Sequence, residues 1–493
     1  MIVSTGKRNR QILDRRRFLQ MGAAAAGLSL GSSGSLYANS LTSLAGASPL
    51  PLPGKAKRVI FLFMFGGPSQ MDLFDYKPEL NRHSGEMVDH ERRKGKNSES
   101  VLLGSPQQFK QYGETGQWCS DAFKHLPQHM DKLAVIKSMY TDSFAHGSAV
   151  LQMNSGKIIQ GHPALGSWIN YGLGSENTEL PGFVVMHDPR GGPISGPANW
   201  GSGYMPAKFQ GTLFRSRGKA LLDLSPAPNS FRYGMSREKE GEQIDAITAL
   251  NAGHLERHGG DEELLARIGC YGLAHQMQVS AREALDLSSE DPKTLEMYGF
   301  NDPTVDHPLA LAPGVFGRQC LIARRLVERD VRFVQIYHGG GHQQQTWDAH
   351  QGVAENLGIH CPETDRPIAA LLSDLERSGL LEETLVIWGG EFGRQPVTQQ
   401  GGDGQTANSE GRDHNPKAFT VWMAGAGIKP GSYGETDELG GEAVVNKHHI
   451  RDLHATILHL AGLDHEKLVF PYGGLDRKLT TVIPAEVIRG VLA

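Results

Sequence analysis

The chain has 493 residues, 39% of them hydrophobic and 21% charged, with a formal net charge of -5. That is enough apolar material for a sizeable core, and a slightly acidic chain without a Lys/Arg stripe excludes a basic surface for nucleic acid. Cys119, Cys270, Cys320 and Cys361 are spaced too widely for a disulfide framework or a zinc knuckle, and they read as isolated thiols.

In chain order the first feature is an address. Asp14-Arg15-Arg16-Arg17-Phe18-Leu19-Gln20 precedes Met21-Gly22 and the small, apolar run Ala23–Leu30. A basic stretch, a short weakly apolar one and later small residues form a secretory signal, too short to span a bilayer. The Arg-Arg-x-Phe-Leu order resembles the twin-arginine signal, an address read by a receptor. Residues 1–47 are therefore expected to be signal and linker, cleaved near Ala38 or after Ala45-Gly46-Ala47, leaving a periplasmic or extracellular protein. No later segment reaches about 18 uninterrupted apolar residues, so no stable membrane span is expected.

Residues 51–493 are expected to form a single domain. Short apolar runs recur along it: Arg58–Phe65, Leu133–Met139, Phe183–Met186, Val331–Tyr337, Thr384–Trp388 and Ala418–Met423. Runs without polar alternation predict strands buried on both faces, as in a parallel sheet covered by helices. Helical periodicity lies at Glu262–Gln276, Gly317–Arg329, Pro367–Ser378 and Arg451–Leu460. Strands alternating with helices give an α/β layered domain. The polar stretches 79–116 and 399–411 read as loop insertions, and Arg190–Gly211, rich in Gly and Pro, as a loop.

Ligands of open parallel sheets bind beyond the carboxyl ends of the strands, so the residues following each strand carry most information. Asp72 follows the first strand on a Gly66-Gly67 turn, where it could bind a cation or cap the next helix. His146 and Ser148 follow the second. A polar group at a helix start can act as nucleophile, aided by free N–H groups, or simply cap the helix. After the fourth come His338, His342, Asp348 and His350, and Asp and His two apart can converge on one ion. Glu391 and Arg394 follow the fifth, a carboxylate beside an oxyanion clamp or else an ordinary ion pair. His414 precedes the sixth strand at the same expected edge. A mixed Asp/His set suits a divalent ion acting as Lewis acid on an ester oxygen.

The stretches TLVIWGGEFGRQP, GRDHNP and IRDLHATILHLAGLDHEKL, in that order, resemble the bacterial domain-of-unknown-function family 1501 from about Lys57 to the C-terminus. That family is described as sulfatase-like and placed in the alkaline phosphatase superfamily. The resemblance implies up to two divalent ions (Zn, Ca, Mg or Mn) above a mostly parallel sheet sandwiched by helices, around a nucleophile at a helix start. It gives Asp72 the role of the first-strand metal ligand, Asp348 and His350 an Asp/His pair, His414 their later partner, and Glu391 the place of a metal Asp. It also implies that the helix containing Asp452 and His454 is structural. The chain departs from the pattern in two places. His146 stands at the nucleophile position, with Ser148 as a fallback, and no C-x-P-S-R motif exists, which excludes a formylglycine sulfatase. Phe392 replaces a second-site His or Asn. Both changes fit His146 acting as a ligand, with water as the nucleophile.

The resemblance thus implies an exported, metal-dependent hydrolase of small-molecule or polysaccharide phosphate or sulfate esters, with Arg394 facing developing charge. The alternative is a catalytically inactive, metal-stabilised binding or assembly protein of the same fold. A twin-arginine-exported oxidoreductase is a third reading, but the spacing of Gly425, Gly427 and Gly431 is wrong for a dinucleotide fingerprint and Pro430 argues against an immediate helix.

Overall fold

In the computed structural model the described residues are 54–93, 96–214, 246–247, 249–250, 280–281, 283–341, 343–399, 410–480 and 483–493. The signal, the helix expected at Glu262–Gln276, Cys270 and most of 399–411 lie outside them.

The strands that place the site are, in chain order, β1 (Arg58–Met64), β2 (Leu133–Tyr140), β3 (Phe183–Met186), β4 (Thr212–Phe214), β5 (Phe333–His338) and β6 (Thr384–Gly389). They continue with β7 (Gly393–Thr398), β8 (Arg412–Asn415), β9 (Phe419–Ala424), β10 (Gly431–Tyr433) and β11 (His448–His449). The principal helices are α1 (His146–Ser155), α2 (Leu165–Leu173), α3 (Pro313–Val327), α4 (Val353–Arg377) and α5 (Ile450–Leu460). All six apolar runs of the sequence are strands of one sheet, ordered β10-β2-β9-β6-β1-β5-β3-β4, with β11 also against β2.

Its pairings are parallel except those of β9 with β6 and with β2. The reversed β9 has a local cause. The antiparallel β7–β8 hairpin returns the chain to the edge where β6 ended, so the next strand must run back down the sheet. Residues after β1, β2, β5 and β6 and residues before β9 therefore share one edge.

Side-chain alternation along β1 explains the layers. Ile60, Leu62 and Met64 join an apolar core with Leu321 and Leu326 of α3 and Leu371 and Leu375 of α4. Val59, Phe61 and Phe63 join a second core with Val150 of α1, Trp168 of α2 and Ile457 of α5. Both faces of the central strand are thus buried, each large apolar side chain contributing about 1.5–3 kcal/mol.

Two elements depart from the sequence reading. Helix α4 begins well before Pro367 and contains both Pro362 and Pro367. Each proline removes a helix hydrogen bond at a cost of about 3 kcal/mol, which burial of Val353, Leu357, Cys361, Ile368 and Leu372 in the core offsets. The stretch 79–116 carries two hairpins, Met87–Arg93 with Lys96–Val101, and Phe109–Tyr112 with Gln117–Ser120. The second is held by Tyr76, whose ring lies 5.1 Å from Phe109 and 4.6 Å from Trp118. Cys119, Cys320 and Cys361 are buried free thiols, and no helix among the described residues is long and apolar enough to cross a membrane.

Helix α5 starts at a reciprocal cap. The Arg451 N–H donates to His449 Nδ1 at 3.1 Å, and the His449 N–H donates to Asp452 at 2.8 Å. One turn on, His454 Nε2 donates to the Met153 carbonyl of α1 at 2.7 Å. Burial holds the His454 pKa down to about 4, against 6.5 for a free imidazole. The unfolded chain therefore takes up a proton first, and stability complete above pH 6.5 is lost as pH falls through about 4. That loss amounts to at most about 3 kcal/mol. Replacing His454→Gln removes this contribution, so chemical denaturation at pH 7 and pH 4.5 should show a smaller pH difference in the variant than in the parent.

Candidate metal centre

At the shared edge the chain gathers residues that are far apart in sequence. After β1, Gly66 has φ 118°, and a Cβ there would stand 2.6 Å from the Asp348 nitrogen. Only glycine lets the turn carry the Trp347–Asp348 backbone so closely. The Gly66 N–H donates to both Glu391 oxygens at 3.1 and 3.2 Å, which ties the end of β1 to the turn after β6.

His146, Asp348, His350 and His414 each offer one ligand atom, and these atoms all lie within 4.8 Å of one another. His350 Nε2 and His414 Nε2 stand 2.9 and 3.0 Å from Asp348 Oδ1, and His146 Nε2 stands 3.2 Å from Oδ2. The opposite nitrogens are all engaged. His146 Nδ1 faces Glu391 Oε1 at 2.6 Å, His414 Nδ1 faces the Phe144 carbonyl at 2.7 Å, and His350 Nδ1 faces Gln399 Oε1. Each acceptor at Nδ1 suits a proton there, so an imidazole that is neutral with its proton on Nδ1 would turn its Nε2 lone pair to the same small volume. Three imidazole nitrogens so placed and a carboxylate oxygen are the donor chemistry of a divalent transition-metal site. Their spacings approach the edges of roughly 3.3 Å that a tetrahedron with bonds of about 2.0–2.1 Å requires. The four side chains keep 12–18% exposure, so the group is reached from solvent.

The electrostatics agree. Burial opposes ionisation of Asp348, but Arg394 foremost, and then the three imidazoles, hold its pKa well below the usual carboxylate range. Burial also opposes charge on His146, yet hydrogen bonds and charge from Asp348 and Glu391 outweigh it and hold its pKa at about 9. At His414 burial wins and lowers the pKa to about 4. Asp348 and Glu391 set against Arg394 leave one negative charge to be balanced, by a proton on His146 or by a bound cation.

Asp72 does not join this group. Its carboxylate receives Arg412 Nε at 2.8 Å and Nη2 at 3.1 Å, with both side chains fully buried, and Ser69 donates to it as well. The phenyl ring of Phe392, with no exposed surface, lies 4.8 Å from the His146 ring and 4.5 Å from that of His414. Asp72, expected as the first-strand metal ligand, is thus engaged in a salt bridge, Glu391 tethers His146, and Phe392 stands as an apolar wall where a second-site His or Asn was expected.

Arg394 also differs from expectation. It is fully buried, giving Nε to Gly67 O at 2.9 Å, Nη1 to Arg412 O at 3.1 Å, and Nη2 to Gly66 O and to Asp348 at 2.6 Å. Those bonds make it the brace of Asp348, out of reach of a substrate. Ser148 lies in the first turn of α1, 2.7 Å from the Ser143 hydroxyl and 3.3 Å from Ala145 O, with no contact to the group. Sequence reasoning missed Gln399 and the Phe144 carbonyl, since neither a loop glutamine nor a backbone oxygen carries a signature.

A second trio, His338, His360 and Glu363, has ligand atoms equally close. Its protons are already assigned. The Trp347 indole donates to His338 Nδ1 at 3.1 Å, which puts the imidazole proton on Nε2, facing Glu363 at 2.9 Å. Arg190 adds two bonds to Glu363 at 3.1 and 2.8 Å and bridges it to Asp188. This is a buried polar network supporting the loop that bears Asp348.

Residues 56–492 match the family described as "Protein of unknown function (DUF1501)", and the chain belongs to that family. No curated protein sequence matches it. Among solved structures, the lipoteichoic acid synthase LtaP from Listeria monocytogenes aligns with TM-score 0.36 at 9% identity, over 89% of this chain and 76% of that one. The phosphonate monoester hydrolase SpPMH from Silicibacter pomeroyi gives 0.33 at 11%, over 76% and 72%. A TAB5 alkaline phosphatase mutant with bound Mg gives 0.33 at 13%, over 83% and 99%. Identity this low transfers neither a residue role nor an activity.

Two substitutions separate these roles. Asp72→Ala strands a buried guanidinium and should cost about 3–5 kcal/mol in denaturant titrations, while metal per chain stays unchanged. Glu391→Ala frees the His146 ring and should weaken metal affinity by about 10–100-fold in competition with a chelating dye.

Proposed function

We propose that this protein is an exported, metal-dependent hydrolase of phosphate or sulfate esters, working with a single divalent ion held by His146, Asp348, His350 and His414. The observation that carries the reading is the gathering of three Nε2 atoms and the Asp348 carboxylate within 4.8 Å of one another, each imidazole fixed by an acceptor at Nδ1. A divalent ion bound there supplies Lewis acidity toward an ester oxygen and makes water acidic enough to attack at neutral pH.

The protein's own part is to hold that geometry. Arg394 fixes the Asp348 carboxylate, Glu391 fixes the His146 ring, and Phe65 and Phe392 flank His146 with apolar surface. With His146 as a ligand and Ser148 turned to Ser143, no side chain is left as nucleophile, and water takes that role. The twin-arginine reading of Arg15-Arg16 supports export of a folded, metal-loaded chain.

A second reading, a catalytically silent metal-stabilised binding or assembly protein, draws on one feature. Four protein donors already complete a tetrahedral shell, as in structural sites, whereas catalytic sites keep a position open.

Elemental analysis of the exported protein should find about one ion per chain, lost in Asp348→Ala and His414→Ala. A panel of phosphate and sulfate esters, assayed with and without chelator, should show turnover that disappears in both variants. A bound ion without turnover on any ester selects the silent reading, and a protein that binds no ion refutes both.

A further inference from the structure

We propose that the surface around Lys157, Arg477 and the Tyr204–Tyr472 pair is a binding site for an anionic saccharide, a sugar chain bearing sulfate or phosphate esters. It stands apart from the metal centre. Lys157 follows the last turn of α1, whose ten residues place it about 15 Å along the helix from His146 at 1.5 Å per residue.

Three observations converge. First, the cations there have no acidic partner. Among the described residues no hydrogen bond or ion pair engages the side chain of Lys157 or of Arg477, and Arg477 Nε is buried without an acceptor. Burial, then the charge of Arg477, lowers the Lys157 pKa; burial, Lys157 and Arg477 lower that of His162, and no carboxylate acts on either.

Second, an aromatic platform stands beside the cations. The Tyr204 and Tyr472 rings stack at 4.9 Å with 17° between planes, Phe470 lies 5.9 Å from Tyr204, and the His162 ring stands 5.8 Å from Tyr204. Tyr472 is 51% exposed, so one ring face remains open to solvent.

Third, the hairpin's register combines the two chemistries. Phe470 pairs with Arg477 and Tyr472 with Leu475 across a Gly473-Gly474 turn whose φ values, 60° and 76°, only glycine adopts without strain. Phe470, Tyr472 and Arg477 therefore share one face, while Asp476 points to the other. An open aromatic face receives the C–H face of a pyranose ring, and unpaired ammonium and guanidinium groups receive its ester oxygens. A bare anion would leave the aromatic face unused, and a neutral sugar would leave the cations unused.

The test measures binding of dextran sulfate, a phosphorylated mannan, neutral dextran and inorganic polyphosphate to the purified chain. Either esterified glycan should bind, more weakly at higher salt, and neutral dextran should not. Lys157→Gln with Arg477→Gln should weaken binding about tenfold and Tyr472→Ala about fivefold. Because Tyr472 lies on an exposed hairpin, its variant decides the matter should the double variant unfold. His414→Ala should bind the glycan like the parent, which keeps the outcome independent of the metal centre. Binding that none of the three surface substitutions alters overturns the proposal. So does the absence of glycan binding, and so does polyphosphate binding as tightly as the glycans and ignoring Tyr472→Ala.

Discussion

The Asp348 carboxylate governs the candidate site. Burial alone would favour the neutral form of this aspartate. Arg394 foremost, and then the three imidazoles, keep it charged, and Arg394 is itself held by carbonyls of the turn after β1 and of the hairpin before β9. The charge of the centre is thus set by backbone elements of the sheet edge. No free side chain could do the same work without paying the entropy of being ordered.

The neighbouring carboxylates, Asp72 and Glu391, stand outside the four-residue cluster. Asp72, at the position where the family resemblance implies a metal ligand, spends its charge on Arg412. Glu391 spends part of its capacity on the Gly66 amide and the rest on His146. Phe392 fills space between these groups with carbon, and a Cβ on Gly67 would meet its ring at 2.6 Å. Asp72 is thus paired with Arg412, and Glu391 with His146 and the Gly66 amide.

Much of this was legible in the sequence. The six strands announced themselves because burial on both faces removes polar alternation. Asp348 and His350 were named from what lies just past a strand and His414 from what lies just before one, while His146 was named as a candidate ligand through the family resemblance. Other features were hidden for physical reasons. Two prolines masked the first half of α4, since local propensity says nothing of the core that overrides it. Asp72 and Arg394 were assigned to chemistry because residue type reveals charge, whereas their partners lie far along the chain, Arg412 for one, and Asp348 with the Gly66–Gly67 carbonyls for the other. The reversed direction of β9 was also invisible, as it depends on a hairpin whose apolar content is small.

That reversal shapes how the site comes into being. His146 is delivered by the strand at one side of β9, Asp348 and His350 by a loop after β5, and His414 by the hairpin that turns the chain into β9. No two of these segments are neighbours in the chain, so an unfolded polypeptide offers an ion only scattered single donors, and capture must wait for the sheet to assemble. An ion that recognises only the finished arrangement stabilises it by mass action. Such an ion would join three separate stretches of polypeptide at that edge of the sheet.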